Sequence, residues 1–135
     1  MNPLAGKTLV VLNTSTDTIN LLTSWFEAAG MTVHGAAVDE FRDRGRDLAA
    51  FVAISRPDVI VFDVALPYVR NWKFLQSMRA GPLAGIPLIV TTPNARVLQT
   101  VSDVFEPGVP HEIVGKPADM EQLTATVTEQ ILAIA

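Results

Sequence analysis

Hydrophobic residues in this chain fall into two kinds of segment that alternate along it. Short runs dominated by Val, Ile and Leu occur at Thr8 to Leu12, Val59 to Phe62, Leu88 to Val90 and Ile113 to Val114, with a weaker one at Met31 to Val33. Apolar runs of this length, with no polar residue at every second position, predict parallel strands covered on both faces. Between them the apolar residues recur at helical steps. Ile19, Leu22, Phe26 and Ala29 predict a first helix entered through Thr14 to Asp17 and stopped by Gly30. A second helix is predicted from Arg46 to Ser55, ahead of Pro57, with Leu48, Phe51, Val52 and Ile54 available for burial. Trp72, Leu75 and Met78 mark a third from Trp72 to Arg79. A fourth runs from Val97 to Phe105 and is stopped by Pro107 and Gly108. Asp119 can cap the last helix, with Gln122 three positions on, and Met120, Leu123, Val127 and Ile131 form its apolar stripe.

Strand and helix thus alternate five times, which predicts a parallel sheet with helices on both faces and right-handed crossovers. Such sheets bind ligands beyond the carboxyl ends of their strands. The polar residues placed there are Asn13 and Thr14, Asp63, Thr91 and Thr92, and Lys116. The charged stretch Asp39 to Asp47 reads as a solvated loop or an extended start of the second helix.

Composition narrows the function. At 135 residues and 49% hydrophobic, the chain suits one core and a single domain spanning 1–135. The net charge is -4 and the ten Lys and Arg are scattered, which argues against direct nucleic-acid binding. The absence of cysteine removes disulfides, thiolate metal sites and thiol nucleophiles. No apolar run approaches the ~18 residues of a membrane span, and no leader pattern is visible, so a soluble cytoplasmic protein is expected. His34 and His111 follow no ligand spacing, and Trp25 and Trp72 read as partly buried helix residues.

The residues after the strands carry a resemblance. Arg56-Pro-Asp-Val-Ile-Val-Phe-Asp63 followed by Leu66-Pro67, Ile86-Pro87-Leu-Ile-Val-Thr-Thr92, and Gly115-Lys116-Pro117 resemble, in order, the third, fourth and fifth strand endings of response-regulator receiver domains. The resemblance spans the whole chain. It implies a flavodoxin-like, doubly wound five-stranded parallel sheet of order 2-1-3-4-5 with five helices on both faces, and a signalling rather than enzymatic role. It implies that Asp63 accepts a phosphoryl group from a histidine kinase, that Lys116 and the Thr92 hydroxyl contact that group, and that the Ala65 carbonyl helps to hold magnesium. Transfers of this kind depend on positioning and charge neutralisation, which is why these types belong together.

The sequence departs from that family where the metal is loaded. Two adjacent carboxylates normally follow the first strand, and Asn13 and Thr14 stand there instead. Magnesium is usually held by one or two carboxylates in an octahedral oxygen shell. With Asp63 the only matched carboxylate, and Asn13 offering at most a neutral carbonyl, Mg2+ binding is expected to be weak or absent. Asp17 reads as a favourable charge at its helix N-terminus. Ile113 stands where the family often has a coupling aromatic, a place that Phe105 or His111 would have to fill. Asn71 replaces a frequent glycine, tolerable because Asn visits left-handed backbone, and Pro93 follows Thr92.

Two readings of function follow: an atypical receiver acting through protein contacts, with Asp63 neutralised by Lys116 rather than by metal, or a conventional single-domain regulator switched by phosphorylation. A flavin- or nucleotide-binding protein on the same architecture is a third class, but no Gly-rich phosphate loop follows the first strand. Expected partners are a histidine kinase or a downstream regulator, and the resemblance admits a homodimer through the face of the fourth and fifth strands.

Overall fold

The computed structural model describes residues 2–94, 96–98, 100, 112–114 and 120–133, with the backbone alone for 112–114. Five strands, β1 (Thr8–Asn13), β2 (Thr32–Ala37), β3 (Val59–Asp63), β4 (Leu88–Thr91) and β5 (Glu112–Val114), pair in parallel in the order β2-β1-β3-β4-β5. The doubly wound flavodoxin-like sheet expected from the sequence is therefore present. Its helices are α1 (Thr16–Ala28), α2 (Val38–Arg42), α3 (Leu48–Ser55), α4 (Tyr68–Arg79) and α5 (Met120–Ala133). Residues 96–98 and 100 are helical as well, whereas the rest of the predicted fourth helix and the Asp119 cap lie outside the described residues.

Strand alternation sorts the core into two layers. Val10, Leu12, Ile60, Phe62 and Val90 pack against Leu48 and Val52 of α3 and Trp72 and Leu75 of α4. Leu9, Val11, Val59, Val61 and Ile89 face the other way, onto Leu22 and Phe26 of α1 and Leu123, Val127 and Ile131 of α5. Because successive strand residues point to opposite faces, a fully apolar strand buries both sides. This explains why every residue of β3 is buried.

The helix ends follow local chemistry. Ser15 caps α1, its Oγ accepting from the Thr18 amide at 3.2 Å, and Asp17 lies in the first turn. At the far end Met31 N–H donates to Phe26 O and Gly30 N–H to Glu27 O, with Gly30 at φ +96, a left-handed termination that favours glycine. Gly35 on β2 lets α1 approach, since a Cβ there would meet Ile19 Cγ2 at 2.5 Å. Asp47 caps α3, and Arg56 at φ 49 ends it before Pro57.

Four expectations change. The charged stretch after β2 contains a separate helix, α2, because Val38 and Phe41 both reach the core three residues apart while Glu40 Oε2 accepts from the Ala37 amide. Ile54 is 83% exposed, lying off the Leu48–Val52–Ser55 stripe that α3 buries. Trp72 is fully buried rather than partly so. Asn71 adopts helical backbone within α4, which begins at Tyr68 rather than Trp72, so no left-handed conformation is involved.

Candidate functional site

The site lies where β1, β3 and β4 end together. Leu12 pairs with Phe62 and Asp63 pairs with Thr91, so Asn13, Asp63 and Thr91 form one row across three neighbouring strands. Alternation from Leu12 and Phe62 turns this row toward the α1 and α5 face. All three are buried, Asn13 at 2% exposure and Asp63 at 3%.

The Thr91 hydroxyl donates to Asp63 Oδ1 at 2.7 Å. Burial pushes the Asp63 carboxyl up to about 6, and the Thr91 hydrogen bond opposes that rise without cancelling it. Thr92, also fully buried, does not make this contact; its Oγ1 accepts from the Asn94 amide at 3.3 Å. The resemblance assigns the phosphoryl contact to Thr92; in the unmodified chain the register of β4 against β3 puts Thr91 level with Asp63. Lys116 lies outside the described residues, as do Phe105 and His111.

Asn13 Oδ1 accepts from the Ser15 amide at 2.9 Å, and its Nδ2 is buried with no partner among the described residues. The side chain therefore uses its oxygen to shape the entry to α1 and leaves a donor at the end of β1. Thr14 is exposed.

After Asp63 the chain turns through Val64 to Pro67, held by Val64 N–H donating to Thr91 O at 2.8 Å, with a cis Leu66–Pro67 bond. Asn71, fully buried, donates from Nδ2 to Ala65 O at 2.8 Å and to Leu66 O at 3.4 Å, and its Oδ1 accepts from Arg42 Nη1. Neither Arg42 nor this role of Asn71 was legible as a site feature in the sequence.

These residues fit a magnesium ion poorly. A hard dication needs several oxygens. The matched positions supply one carboxylate, an Asn13 oxygen already accepting a hydrogen bond, and an Ala65 carbonyl already accepting another. Among the described residues no group of three His, Cys, Asp or Glu could hold a metal ion. A surface groove of about 400 Å³ lined by His34, Arg46, Asp47, Ala50, Phe51, Ile54 and Ser55 shares no residue with this site. No helix among the described residues is long and apolar enough to cross a membrane.

No family model matches the chain, and no curated protein does. Solved structures do match. Chemotaxis protein CheY4 of Vibrio cholerae superposes with a TM-score of 0.68 at 20% identity, covering 93% of this chain and 98% of its own. The receiver domain of a Francisella response regulator gives 0.68 at 16% identity, covering 96% and 100%. The fold is that of receiver domains. A CheY-like response regulator from Mesorhizobium loti agrees, at 0.67 and 21% identity over 93% of this chain and 98% of that one. At these identities the likeness fixes the receiver architecture, and the chemistry at its strand ends has to be argued from this chain's own residues.

Proposed function

We propose that this chain is an atypical receiver-like signalling module of a two-component system, acting in the cytoplasm through protein contacts, with weak or absent magnesium-dependent phosphorylation at Asp63. The observation that carries the reading is the row Asn13, Asp63, Thr91: a buried carboxylate with a hydroxyl donor on one side and an amide where a metal-loading carboxylate would stand. On this reading Asp63 is the phosphoacceptor; the receiver resemblance assigns contact with a phosphoryl oxygen to Thr92 and Lys116, while in the unmodified chain it is Thr91 that donates to the carboxylate. Without a second carboxylate, the repulsion that makes a cation necessary is absent, so the resting state holds its shape on hydrogen bonds and packing. Output then passes to a protein partner, a kinase or a downstream regulator.

The test is incubation with Mg2+ and a small-molecule phosphodonor, followed by intact-mass measurement. The expected result is little or no mass gain. A near-stoichiometric phosphate adduct that disappears in Asp63→Asn overturns the proposal in favour of a conventional phosphorylation-switched regulator.

A further inference from the structure

The residue that fastens the turn after Asp63, Asn71, is itself held by a side chain from a different helix, distant in sequence. Arg42, the last residue of α2, forks onto Asp43, with Nε at 3.0 and 3.1 Å from the two carboxylate oxygens and Nη2 at 2.7 Å from Oδ2. The fork holds the Asp43 carboxyl below its usual range and leaves Nη1 to donate to Asn71 Oδ1. Arg70 Nη2 reaches Asp43 Oδ1 at 2.5 Å, so Asp43 ties α2 to α4 a second time. The Arg42 side chain is 13% exposed, which shields this contact from salt better than a surface pair.

The amide of Asn71 has one accepting end and one donating end. A guanidinium has only donors, so it fixes the accepting end toward itself. The donating end is thereby committed to Ala65 O, two residues beyond Asp63. A flipped amide would set N–H groups against N–H groups at Arg42 and oxygen against oxygen at Ala65, in a buried setting where both are costly.

We propose that Arg42 and Asn71 are positioning residues for the Asp63 site: together they order the turn after Asp63 and occupy the Ala65 carbonyl with an internal donor, which closes the site to a divalent cation. This rests on the reading of Asp63 as a receiver-type acceptor position and names what has taken the cation's place in organising it. The guanidinium supplies a fixed positive charge, and the amide supplies the donor to the carbonyl.

The test uses Mn2+ alone as probe, with free ion followed by electron paramagnetic resonance on the full chain. Asn71→Ala removes the donor without changing net charge, and Asn71→Leu does the same while keeping the branched heavy-atom shape, so the test survives if the alanine cavity prevents folding. Releasing one hydrogen bond from the carbonyl is expected to tighten Mn2+ binding by roughly fivefold, and the gain is expected to vanish in an Asp63→Asn background. A merely structural role for Asn71 leaves Mn2+ affinity where it was. Affinity unchanged within the error of the titration, in either variant with a native circular dichroism spectrum, overturns the inference while leaving the functional reading intact. Tight Mn2+ binding and stoichiometric phosphorylation in the unmodified chain overturn the functional reading instead.

Discussion

Replacing Asp63 by asparagine should make the protein more stable at neutral pH, and the gain should fade as the pH falls. In the fold Asp63 is 3% exposed and the pKa of its carboxyl is lifted from 3.8 to about 6, with burial the main cause and the Thr91 hydrogen bond opposing it. A pKa raised in the folded state means that folding is penalised above it and that the penalty is relieved as pH drops toward the unfolded value. At about 1.4 kcal/mol per unit, the shift corresponds to an upper bound of about 3 kcal/mol above pH 6, shrinking to nothing near pH 4. The asparagine amide would keep an oxygen for Thr91 but bring a new pair of N–H donors to satisfy, so a measured gain of about 1–2 kcal/mol at pH 7 is expected. Urea unfolding followed by tryptophan fluorescence, at pH 7, 5.5 and 4.5 for both proteins, reads it directly. Comparing the two proteins at each pH cancels the other titrating groups. A carboxylate neutralised by Lys116, as the sequence suggests, gives the opposite result, with the unmodified chain the more stable at pH 7. A difference of that sign, or one independent of pH, refutes the burial argument.

Other consequences are more local. Thr91→Val keeps the shape and strand preference but removes the donor to Asp63 Oδ1, so it should cost about 1–3 kcal/mol at pH 7 and less at pH 5, measured by the same unfolding series. Ser15→Ala removes the cap of α1 and should cost about 1 kcal/mol, visible as a shift in the urea midpoint with unchanged m. Ile54→Lys, on a side chain left almost wholly in solvent, should change stability by less than about 0.5 kcal/mol despite the loss of a large apolar group.

The sheet was readable because β1, β3 and β4 bury both faces, which leaves continuous apolar runs with polar residues only at their ends. Caps such as Gly30, and Asp17 in the first turn of α1, were readable because their chemistry is local. What escaped depends on distant partners. α2 is five residues long and is held by the burial of Val38 and Phe41, the latter tilted against Phe51 at 5.4 Å with the Arg46 guanidinium over both rings. α3 is apolar nearly all round, so periodicity could not tell Ile54 from Val52. That Thr91 lies level with Asp63 needs the register of β4 against β3, which the sequence does not show. Arg42 and Asn71 lie 29 residues apart, and no spacing rule pairs a residue ending one helix with a buried amide in another.

If the proposed reading holds, the amide at position 13 and the latch at Asn71 bear on the same oxygen shell, and that has a measurable signature. A lone buried carboxylate costing up to about 3 kcal/mol can be carried by a domain whose whole stability is about 5–15 kcal/mol. A second carboxylate beside it, one strand away, adds like-charge repulsion in a buried row and calls for a cation. Asn13→Asp should therefore lower stability at pH 7 in the absence of metal and raise Mn2+ affinity, because an acid replaces an amide whose donor has no partner among the described residues. The gain should stay small while Asn71 still holds the Ala65 carbonyl. Pairing Asn13→Asp with Asn71→Ala should then tighten Mn2+ binding by more than the product of the two single effects, since both substitutions complete the same oxygen shell. Strict additivity in that double-mutant cycle would mean that the carbonyl of Ala65 and the residue at position 13 do not serve one ion, and the account of a closed metal site would have to be abandoned.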